Sequence, residues 1–338
     1  MKLSICIPTY NRANYLEVCL NSILENVKNT DFEFELCISN NCSTDRTEEI
    51  IKNIETKIPV KYNKNFKNLG MARNILKVVS MATSEFVWVL GDDDLLTKDS
   101  ISNAIKLIKA NPNIDFFYVN SYHLDKIYLD KFVKPFHIKY LPVTMEKFSS
   151  YTKDGQLDFF ELIDPKVSFD FLGGIFLSIF RRENWMKNIY VLNERALEDN
   201  NTYSHFDNTF PHLKIYSYAF SNSKAFFYSN PLTVNLSGIR EWFPLYPLVK
   251  SVRLYEALKI YRKNGLPLYK YLYCRNSNLS TFANDLFNML KNKERSGLNY
   301  INLPILILSN LFYPNFYLSF VYAFIKLVKK VKDRLVEK

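Results

Sequence analysis

The feature that most constrains the fold is an alternation of short apolar segments with amphipathic segments over the first 125 residues. The apolar segments cover residues 3–7, 34–39, 60–62, 85–90 and 115–120. Helical patterns separate them, for example over residues 15–25, 71–82 and 98–110. Strands that alternate with helices at this spacing are typical of a parallel sheet covered on both faces. The alternation therefore predicts an α/β fold with a mostly parallel sheet.

Polar loops follow three of the predicted strands. They contain Thr9-Tyr-Asn-Arg12, Asn40-Asn-Cys-Ser-Thr-Asp45 and Gly91-Asp-Asp-Asp94. Ligands of open α/β sheets bind at the carboxyl ends of the strands, which is where these loops would lie. We therefore expect a binding site at this edge of the sheet.

The acidic run Asp92-Asp93-Asp94 is the strongest chemical signal in these loops. Three adjacent carboxylates repel one another unless something neutralises them, and Mg²⁺ or Mn²⁺ does so with oxygen ligands from carboxylates, water and substrate phosphates. Composition alone leaves open a solvated acidic turn that caps a helix. The two other polar loops at the same edge favour the metal site.

Composition limits the class of protein. The chain has 338 residues, of which 48% are hydrophobic, so about two domains are expected. A net charge of +10 favours anionic partners without choosing among them. The five scattered cysteines lack the spacing of a zinc site or a disulfide framework, and no secretion signal is predicted at the start of the chain. No GxGxxG follows the first strand, which argues against a dinucleotide-binding dehydrogenase.

Four motifs together resemble the family-two glycosyltransferases. They are Ser4-Ile-Cys-Ile-Pro-Thr-Tyr-Asn-Arg12, Ile38-Ser-Asn-Asn-Cys-Ser-Thr-Asp45, Asn68-Leu-Gly-Met-Ala-Arg-Asn74 and Trp88-Val-Leu-Gly-Asp-Asp-Asp-Leu-Leu96, in the family's order and spacing. The resemblance covers roughly residues 1–125. It implies a Rossmann-like GT-A fold with helices on both faces of the sheet. It also implies an inverting, metal-dependent transfer of a sugar from a nucleoside-diphosphate sugar, of the kind used in bacterial surface polysaccharide or lipopolysaccharide assembly.

The resemblance assigns roles to the donor-site residues. The nucleotide-sugar site is expected to contain Pro8, Thr9, Tyr10, Arg12, Asn40, Asn41, Arg73 and Asp92. In the family's DxD-type pair, Asp92 corresponds to the ribose contact and Asp93 to the ligand of Mn²⁺ or Mg²⁺. Gly91 stands where the family's first aspartate usually lies, which shifts the expected metal ligands toward Asp94.

The asparagine pair suggests a choice of nucleobase. Asn40 and Asn41 stand at the family's two acidic positions in the second loop. An asparagine oxygen can accept a hydrogen bond from uracil N3–H, or the carboxamide can donate to cytosine N3 while accepting from the cytosine amino group. We therefore expect that the donor base can be cytosine.

The resemblance also implies where the catalytic base lies, namely in a Glu-Asp motif that begins a helix beyond the centre of the sheet. Glu198-Asp199 matches the dipeptide, and Asp207 has the spacing to the following strand that the family shows. The spacing favours Asp207, so the candidates are Asp207, then Asp199 with Glu198.

The last third of the chain differs in composition. We expect a catalytic domain over residues 1–235, with a nucleotide-sugar half (1–125) and an acceptor half (126–235), and a helical, aromatic, basic region over 236–338. Residues 296–325 carry no charge, and lysines follow at once. This pattern predicts peripheral contact with anionic lipid at the inner face of the membrane and a lipid-linked or glycan acceptor, with a buried helical hairpin as the alternative.

Two other functions fit parts of the sequence. A sugar nucleotidyltransferase also pairs carboxylates with a metal ion, but Pro8 to Arg12 lacks the glycine-rich basic loop of that class. A nucleic-acid-binding or other anion-binding protein would fit the net charge and the aromatic content. The basic residues are dispersed and form no known nucleic-acid module, so no nucleic-acid partner is expected.

Overall fold

A computed structural model describes residues 2–27, 34–133, 136–199, 201, 203–238 and 243–336. Its strands are β1 (Leu3–Thr9), β2 (Phe34–Asn40), β3 (Val60–Lys64), β4 (Phe86–Val89), β5 (Asp94–Leu96), β6 (Phe116–Asp125), β7 (Glu146–Lys147), β8 (Gly155–Asp158), β9 (Ser178–Arg181) and β10 (Lys224–Ser237). All of them belong to one sheet.

The α-helices alternate with these strands and then take over the chain. They are α1 (Ala13–Val27), α2 (Thr47–Glu55), α3 (Met71–Met81), α4 (Ser100–Ala110), α5 (Lys126–Leu129), α6 (Arg182–Lys187), α7 (Glu194–Glu198), α8 (Phe206–Thr209), α9 (Pro211–Ala219), α10 (Tyr246–Leu248), α11 (Leu254–Lys263), α12 (Leu268–Asn278), α13 (Phe282–Lys291), α14 (Leu303–Leu308) and α15 (Pro314–Val336). A π-helical turn, Val249–Arg253, joins α10 to α11.

The main path of the sheet runs in the order β3-β2-β1-β4-β9-β6-β10-β5, with β7 beside β6 and β8 beside β10. β1, β2, β3 and β4 are mutually parallel, and β10 is parallel to β6. β1, β2 and β4 are almost wholly buried, as expected where helices cover a sheet. Helices flank the sheet, and α3 packs on β1 and β2. The α/β fold is therefore confirmed.

The expected mostly parallel sheet is in fact mixed. β9 lies between β4 and β6 and is antiparallel to both. Before β9, residues 175–177 form a 3-10 turn. The segment between β8 and β9 contains 3-10 turns and no α-helix, so it is not a strand–helix–strand unit of the kind that makes neighbouring strands parallel.

One acidic side chain ties the first two polar loops together. Asp45 Oδ2 accepts from the Ala13 backbone N–H (2.9 Å) at the start of α1, and Asp45 Oδ1 accepts from the Thr47 backbone N–H (3.1 Å) at the start of α2. The charge of Asp45 lies at two helix N-termini, where backbone N–H groups lack partners.

After β10 the described chain is helical to Val336. A second apolar cluster forms there, around Leu248, Phe282, Met289 and Phe316, apart from the large core under the sheet. The charge-free stretch is divided between α14 and α15. Among the described residues, no helix combines the length and the hydropathy that crossing a bilayer requires.

Candidate functional site

The carboxyl ends of β1, β2 and β4 lie together at one edge of the sheet. Thr9 ends β1 and pairs in register with Asn40, which ends β2, while β4 runs parallel on the other side of β1. The Thr9 hydroxyl donates to Asp92 Oδ2 over 2.8 Å. The loops after three separate strands therefore form one site.

Arg12 binds the first two aspartates of the acidic run. Its Nη1 lies 3.1 Å from Asp92 Oδ1, and its Nη2 lies 2.9 Å from Asp93 Oδ2. The guanidinium also lies 5.0 Å from the centre of the Tyr15 ring. Both carboxylates are buried, so this arginine neutralises part of a charge that water reaches poorly.

Asp92 shows how strongly burial acts here. Burial raises the pKa of Asp92 to about 7 against the opposing effect of Arg12, and the neighbouring Asp93 adds to the rise. The Thr9 hydroxyl favours the ionised form. When both carboxylates are ionised, one arginine leaves one negative charge uncompensated.

Asp94 holds the loop instead of opening toward a ligand. Its Oδ2 accepts from the Gly91 backbone N–H (2.8 Å), and its Oδ1 accepts from Asn235 Nδ2 (2.8 Å) on β10. The expected shift of the metal ligands toward Asp94 is therefore not favoured, because both of its oxygens are already engaged. No sequence signal pointed to Asn235, which lies 141 positions from Asp94 in a strand without a motif.

Gly91 leaves room for these carboxylates. A Cβ at Gly91 would lie 2.7 Å from Asp93 Oδ1 and 2.9 Å from Asp94 Oδ2. The absence of a side chain at this position therefore lets the two carboxylates pack against the backbone.

Asn40 and Asn41 are buried, with their carboxamides engaged inside the protein. Asn41 Nδ2 donates to Asn68 Oδ1 (2.7 Å) and Gly70 O (3.3 Å), and Asn41 Oδ1 accepts from Leu69 N (2.9 Å) and Asn65 Nδ2 (3.1 Å). The expected hydrogen bonds from Asn41 to a nucleobase would require these bonds to break. Tyr10, by contrast, is exposed and free to stack on a planar group.

Arg73 joins α3 to α7. Its Nη2 lies 2.8 Å from Glu194 Oε2, its Nε donates to Leu197 O (3.3 Å), and Glu198 Oε1 lies 3.8 Å from Nη2. The sequence suggested a phosphate contact for Arg73. In this structure its charge is compensated by α7 instead.

The structure separates the candidate bases. Asp207 is buried, and its Oδ2 accepts from Asn193 N (2.6 Å) and from Lys214 Nζ (2.7 Å). Asp199 follows α7 and is half-buried. A hydrogen bond from the Ser204 hydroxyl and further bonds from Asn201 lower the pKa of Asp199 and keep it ionised. The preference that spacing gave to Asp207 stays a prediction, because these contacts engage Asp207 Oδ2 while both oxygens of Asp199 also accept hydrogen bonds.

Asp92 and Asp93 suit a divalent cation. Their hard oxygens are the ligands that Mg²⁺ and Mn²⁺ prefer, and their charge exceeds that of Arg12. In the part of the chain that the structure describes, no three His, Cys, Asp or Glu side chains gather into a metal cage. A cation at Asp93 would therefore take its remaining oxygens from the donor diphosphate and water.

The arrangement agrees with comparisons to known proteins. The sequence profile described as "Glycosyl transferase family 2" matches residues 4–164, the part that holds the site. Residues 4–164, just under half of the chain, are therefore similar to glycosyl transferase family 2. The likeness predicted from the four motifs is thereby confirmed.

Two curated relatives match about a third of the chain. The abequosyltransferase RfbV of Salmonella typhimurium is 47% identical over 104 residues, which cover 30% of this chain and 31% of RfbV. The GalNAc(5)-diNAcBac-PP-undecaprenol beta-1,3-glucosyltransferase of Campylobacter jejuni is 32% identical over 114 residues, which cover 32% of this chain and 35% of that enzyme. The matches thus span about a third of these relatives.

A solved structure shows the same fold over nearly the whole chain. The mannosyltransferase PcManGT from Pyrobaculum calidifontis, in complex with GDP-Man and Mn²⁺, superposes with a TM-score of 0.53. The likeness covers 98% of this chain and 87% of PcManGT at 15% identity. The GT-A fold expected from the sequence is confirmed.

Proposed function

We propose that this chain is a family-2 glycosyltransferase that moves a sugar from a nucleoside-diphosphate sugar to a glycan or lipid-linked acceptor, with inversion and with a divalent metal. The observation that carries the proposal is the buried Asp92–Asp93 pair beside Thr9 and Arg12, at the carboxyl edge of the sheet and inside the family's matched region. Such an edge is where open α/β sheets bind nucleotides.

The donor is expected to bind along the ends of β1, β2 and β4. Tyr10 is exposed for stacking on the base, beside Pro8, and Asp92 is our candidate for the ribose contact. Asp93 is our candidate for the ligand of Mn²⁺ or Mg²⁺. Mn²⁺ accompanies the donor in PcManGT. A bound metal would offset the charge that develops on the departing diphosphate.

Asp199 is our candidate for the base that takes the acceptor's proton. Its carboxylate is partly open to solvent and ionised, whereas Asp207 is paired with Lys214. A base must come within hydrogen-bond reach of the proton that it removes. Asp207 and Lys214 are expected to hold α8 and the segment around Asn193 in place beside it.

A panel of CDP-, UDP-, GDP- and dTDP-sugars tests the function. Release of nucleoside diphosphate is followed with and without Mn²⁺, with bacterial lipid extract as acceptor, for wild type, Asp93→Asn and Glu55→Gln. We expect metal-dependent release from one donor, a loss of at least about a hundredfold in Asp93→Asn because a preorganised charge contact is removed, and no change in the exposed control Glu55→Gln. Release that Asp93→Asn leaves intact would contradict the metal role.

The same assay separates the two candidate bases. Asp199→Asn should lower kcat about a hundredfold or more with little change in the donor KM, because general-base catalysis contributes to the chemical step. Asp207→Asn should lower thermal stability first, since it leaves Lys214 without its partner. A large loss of kcat in a fully stable Asp207→Asn variant, with Asp199→Asn active, would reverse the assignment.

We further propose that α15 places the enzyme on the inner face of the cell membrane. Among the side chains of α15 that the structure describes, Phe316, Ser319 and Ala323 are buried and lie on one face. On the opposite face an exposed apolar stripe covers the first two thirds of the helix, made of Tyr317, Leu318, Val321, Tyr322, Phe324, Ile325 and Val328. A helix that packs with one face and exposes apolar side chains on the other is typical of an interfacial helix.

Charge favours an anionic lipid surface as the partner of this stripe. Lys326, Lys329 and Lys332 are exposed at its C-terminal end, and the first acidic residue of α15 is Asp333. The Tyr317 hydroxyl donates to Leu311 O (2.9 Å), which brings the exposed Phe312 next to the start of the stripe. Aromatic rings suit the headgroup level of a bilayer. A lipid-linked acceptor, as the name of the Campylobacter relative indicates for that enzyme, would be reached from such a position.

Vesicle sedimentation tests the membrane surface. Wild type should bind vesicles containing phosphatidylglycerol far better than phosphatidylcholine vesicles. Val321→Glu with Phe324→Glu should abolish binding, because two charges would enter the apolar layer. Tyr190→Glu, at an exposed aromatic residue outside α15, is the control and should bind as wild type does. Equal binding by the double variant would overturn the proposed surface, and a concentration-dependent dimer would identify a second copy as its partner.

A further inference from the structure

The guanidinium of Arg12 binds an oxygen of Asp93, our candidate for the metal ligand. Arg12 Nη2 lies 2.9 Å from Asp93 Oδ2. The other oxygen, Oδ1, lies on the Gly91 side, 2.7 Å from where a Cβ of residue 91 would be. A metal ion bound to Oδ2 would therefore share that oxygen with Arg12.

We propose that Arg12 is an internal counter-ion that competes with the divalent metal for Asp93 and gives way only when the donor's diphosphate binds. This inference rests on the proposed function, which assigns the metal to Asp93. Arg12 is thereby a positioning residue that makes metal binding depend on the donor.

Electrostatics requires the exchange. A divalent cation binds a carboxylate oxygen at about 2.1 Å, and a guanidinium held on the same oxygen would repel it. The repulsion is little screened, because the side chains of Asp92 and Asp93 are less than a tenth exposed. Metal binding without another anion therefore has to break the contact of Arg12 with Asp93 and places a second cation beside the guanidinium.

The diphosphate of the donor supplies the anion that the exchange of Arg12 for a metal ion requires. A diphosphate offers oxygens to the metal and an anionic partner to the displaced guanidinium, which pairs well with phosphate in a planar fork. Space for the movement exists beside Arg12, in a depression of about 240 Å³ lined also by Tyr15, Asp45 and Arg46. The metal and the diphosphate would thus replace both halves of the Arg12–aspartate pair at once.

Manganese titration without any sugar donor tests the competition. Free Mn²⁺ is measured by electron paramagnetic resonance for wild type and Arg12→Gln, with thermal unfolding to show that both are folded. Arg12→Gln should bind Mn²⁺ on the order of tenfold more tightly than wild type, the factor expected when a charge-assisted hydrogen bond no longer has to break. Arg12→Lys, which keeps the charge, should stay close to wild type.

Two controls assign the effect to this site. Arg46→Gln removes an exposed arginine, paired with Glu49, from the same depression and should leave Mn²⁺ affinity unchanged. Asp93→Asn placed on the Arg12→Gln background should abolish the gain. In addition, CDP, UDP or GDP should tighten Mn²⁺ binding more in wild type than in Arg12→Gln.

A folded Arg12→Gln variant that binds Mn²⁺ no more tightly than wild type would overturn the proposal. The outcome does not depend on transfer activity, since neither sugar donor nor acceptor is present. Metal-dependent transfer together with unchanged Mn²⁺ affinity in Arg12→Gln would leave the proposed function intact and reject the competition alone.

Discussion

At the scale of single residues, three consecutive aspartates have three different environments. Asp92 accepts a hydrogen bond from the Thr9 hydroxyl and pairs with Arg12, and Asp93 also pairs with Arg12. Asp94 accepts hydrogen bonds from Gly91 N and Asn235. All three carboxylates are buried, so water solvates them poorly. Each carboxylate is therefore stabilised by its own hydrogen bonds and ion pairs. In the acidic run, Asp94 therefore holds the loop, and Asp92 and Asp93 bind Arg12.

Gly91→Ala tests how tightly this run is packed. The new Cβ would meet Asp93 Oδ1 and Asp94 Oδ2 at less than 3 Å, so both carboxylates must move. We expect a loss of stability of about 1–3 kcal/mol, as for other overpacked sites, and a loss of Mn²⁺ binding in the presence of nucleotide. Denaturant unfolding and the manganese titration measure the two effects. A variant with wild-type stability and metal affinity would contradict the packing described here.

Glu35 gives a prediction on pH. Burial acts to raise its pKa, but hydrogen bonds from Lys61, Ser4 and the Thr83 and Ser84 backbone outweigh it and hold the pKa at about 2. The pKa of a glutamate in an unfolded chain is about 4.3, so the ionised carboxylate stabilises the fold above that pH. This contribution is lost as the pH falls from about 4.3 toward 2.

Glu35→Gln should remove this pH dependence. The variant's free energy of unfolding should be about 3 kcal/mol lower at pH 7, because an amide faces the backbone donors and Lys61 loses its buried partner. It should also fall less steeply than that of wild type between pH 5 and 2. Glu55→Gln, at an exposed glutamate, should keep the wild-type slope. Parallel slopes for wild type and Glu35→Gln would rule out the linkage.

At the scale of elements, Arg73 joins α7 to α3 in the N-terminal part of the chain. Arg73 on α3 contacts Glu194 and the Leu197 carbonyl, and Asp199 follows directly. The loop that carries the candidate base is therefore coupled to the helix that follows the third strand.

Arg73→Ala should loosen α7 without unfolding the sheet. Hydrogen exchange should speed up by about tenfold or more in residues 194–199, because local opening costs less free energy when its contacts are removed. β1 and β4 should keep their protection. Arg46→Ala, which removes an exposed i,i+3 ion pair on α2, is the control. Unchanged exchange in α7 would show that other packing holds this helix.

At the scale of the whole molecule, the C-terminal helices meet around a buried arginine. Arg275 lies 3.4 Å from the centre of the Tyr255 ring and bonds to Asn310, and within the described chain its Nε and Nη1 have no hydrogen-bond partner. Burial lowers the pKa of Arg275 to about 10, which reflects the cost of its charge. Arg253, nearby in sequence, bonds to Tyr203 O, Ser204 O and Glu256.

Arg275→Met should leave thermal stability unchanged or raise it. An apolar side chain of similar length keeps the packing, and it avoids the desolvation of a charge that has no acidic partner in contact. Arg253→Met should instead lower stability by about 3 kcal/mol, since it leaves buried carbonyls unsatisfied. Thermal unfolding compares the two variants. Equal losses would show that the Tyr255 contact compensates Arg275 more strongly than burial penalises it.

The sequence by itself determined the features that depend on neighbours along the chain. Apolar periodicity located β1, β2, β4 and the helices between them, and placed Thr9, Asn40 and Asp92 at the ends of strands. The absence of charged residues marked the stretch that forms α14 and the first half of α15. Strand and helix patterns are local, because one buried face repeats every two or 3.6 residues.

Tertiary structure decided how each polar group is used. Asp94 bonds to Asn235, Arg12 covers Asp92 and Asp93, and Asp207 pairs with Lys214. Tertiary structure also decided that β9 lies antiparallel between β4 and β6. The first two partnerships and the β9 pairing join residues far apart in sequence, where no periodicity acts. A buried charge takes whichever partner the fold brings within reach, since leaving it unpaired costs more than any local preference supplies.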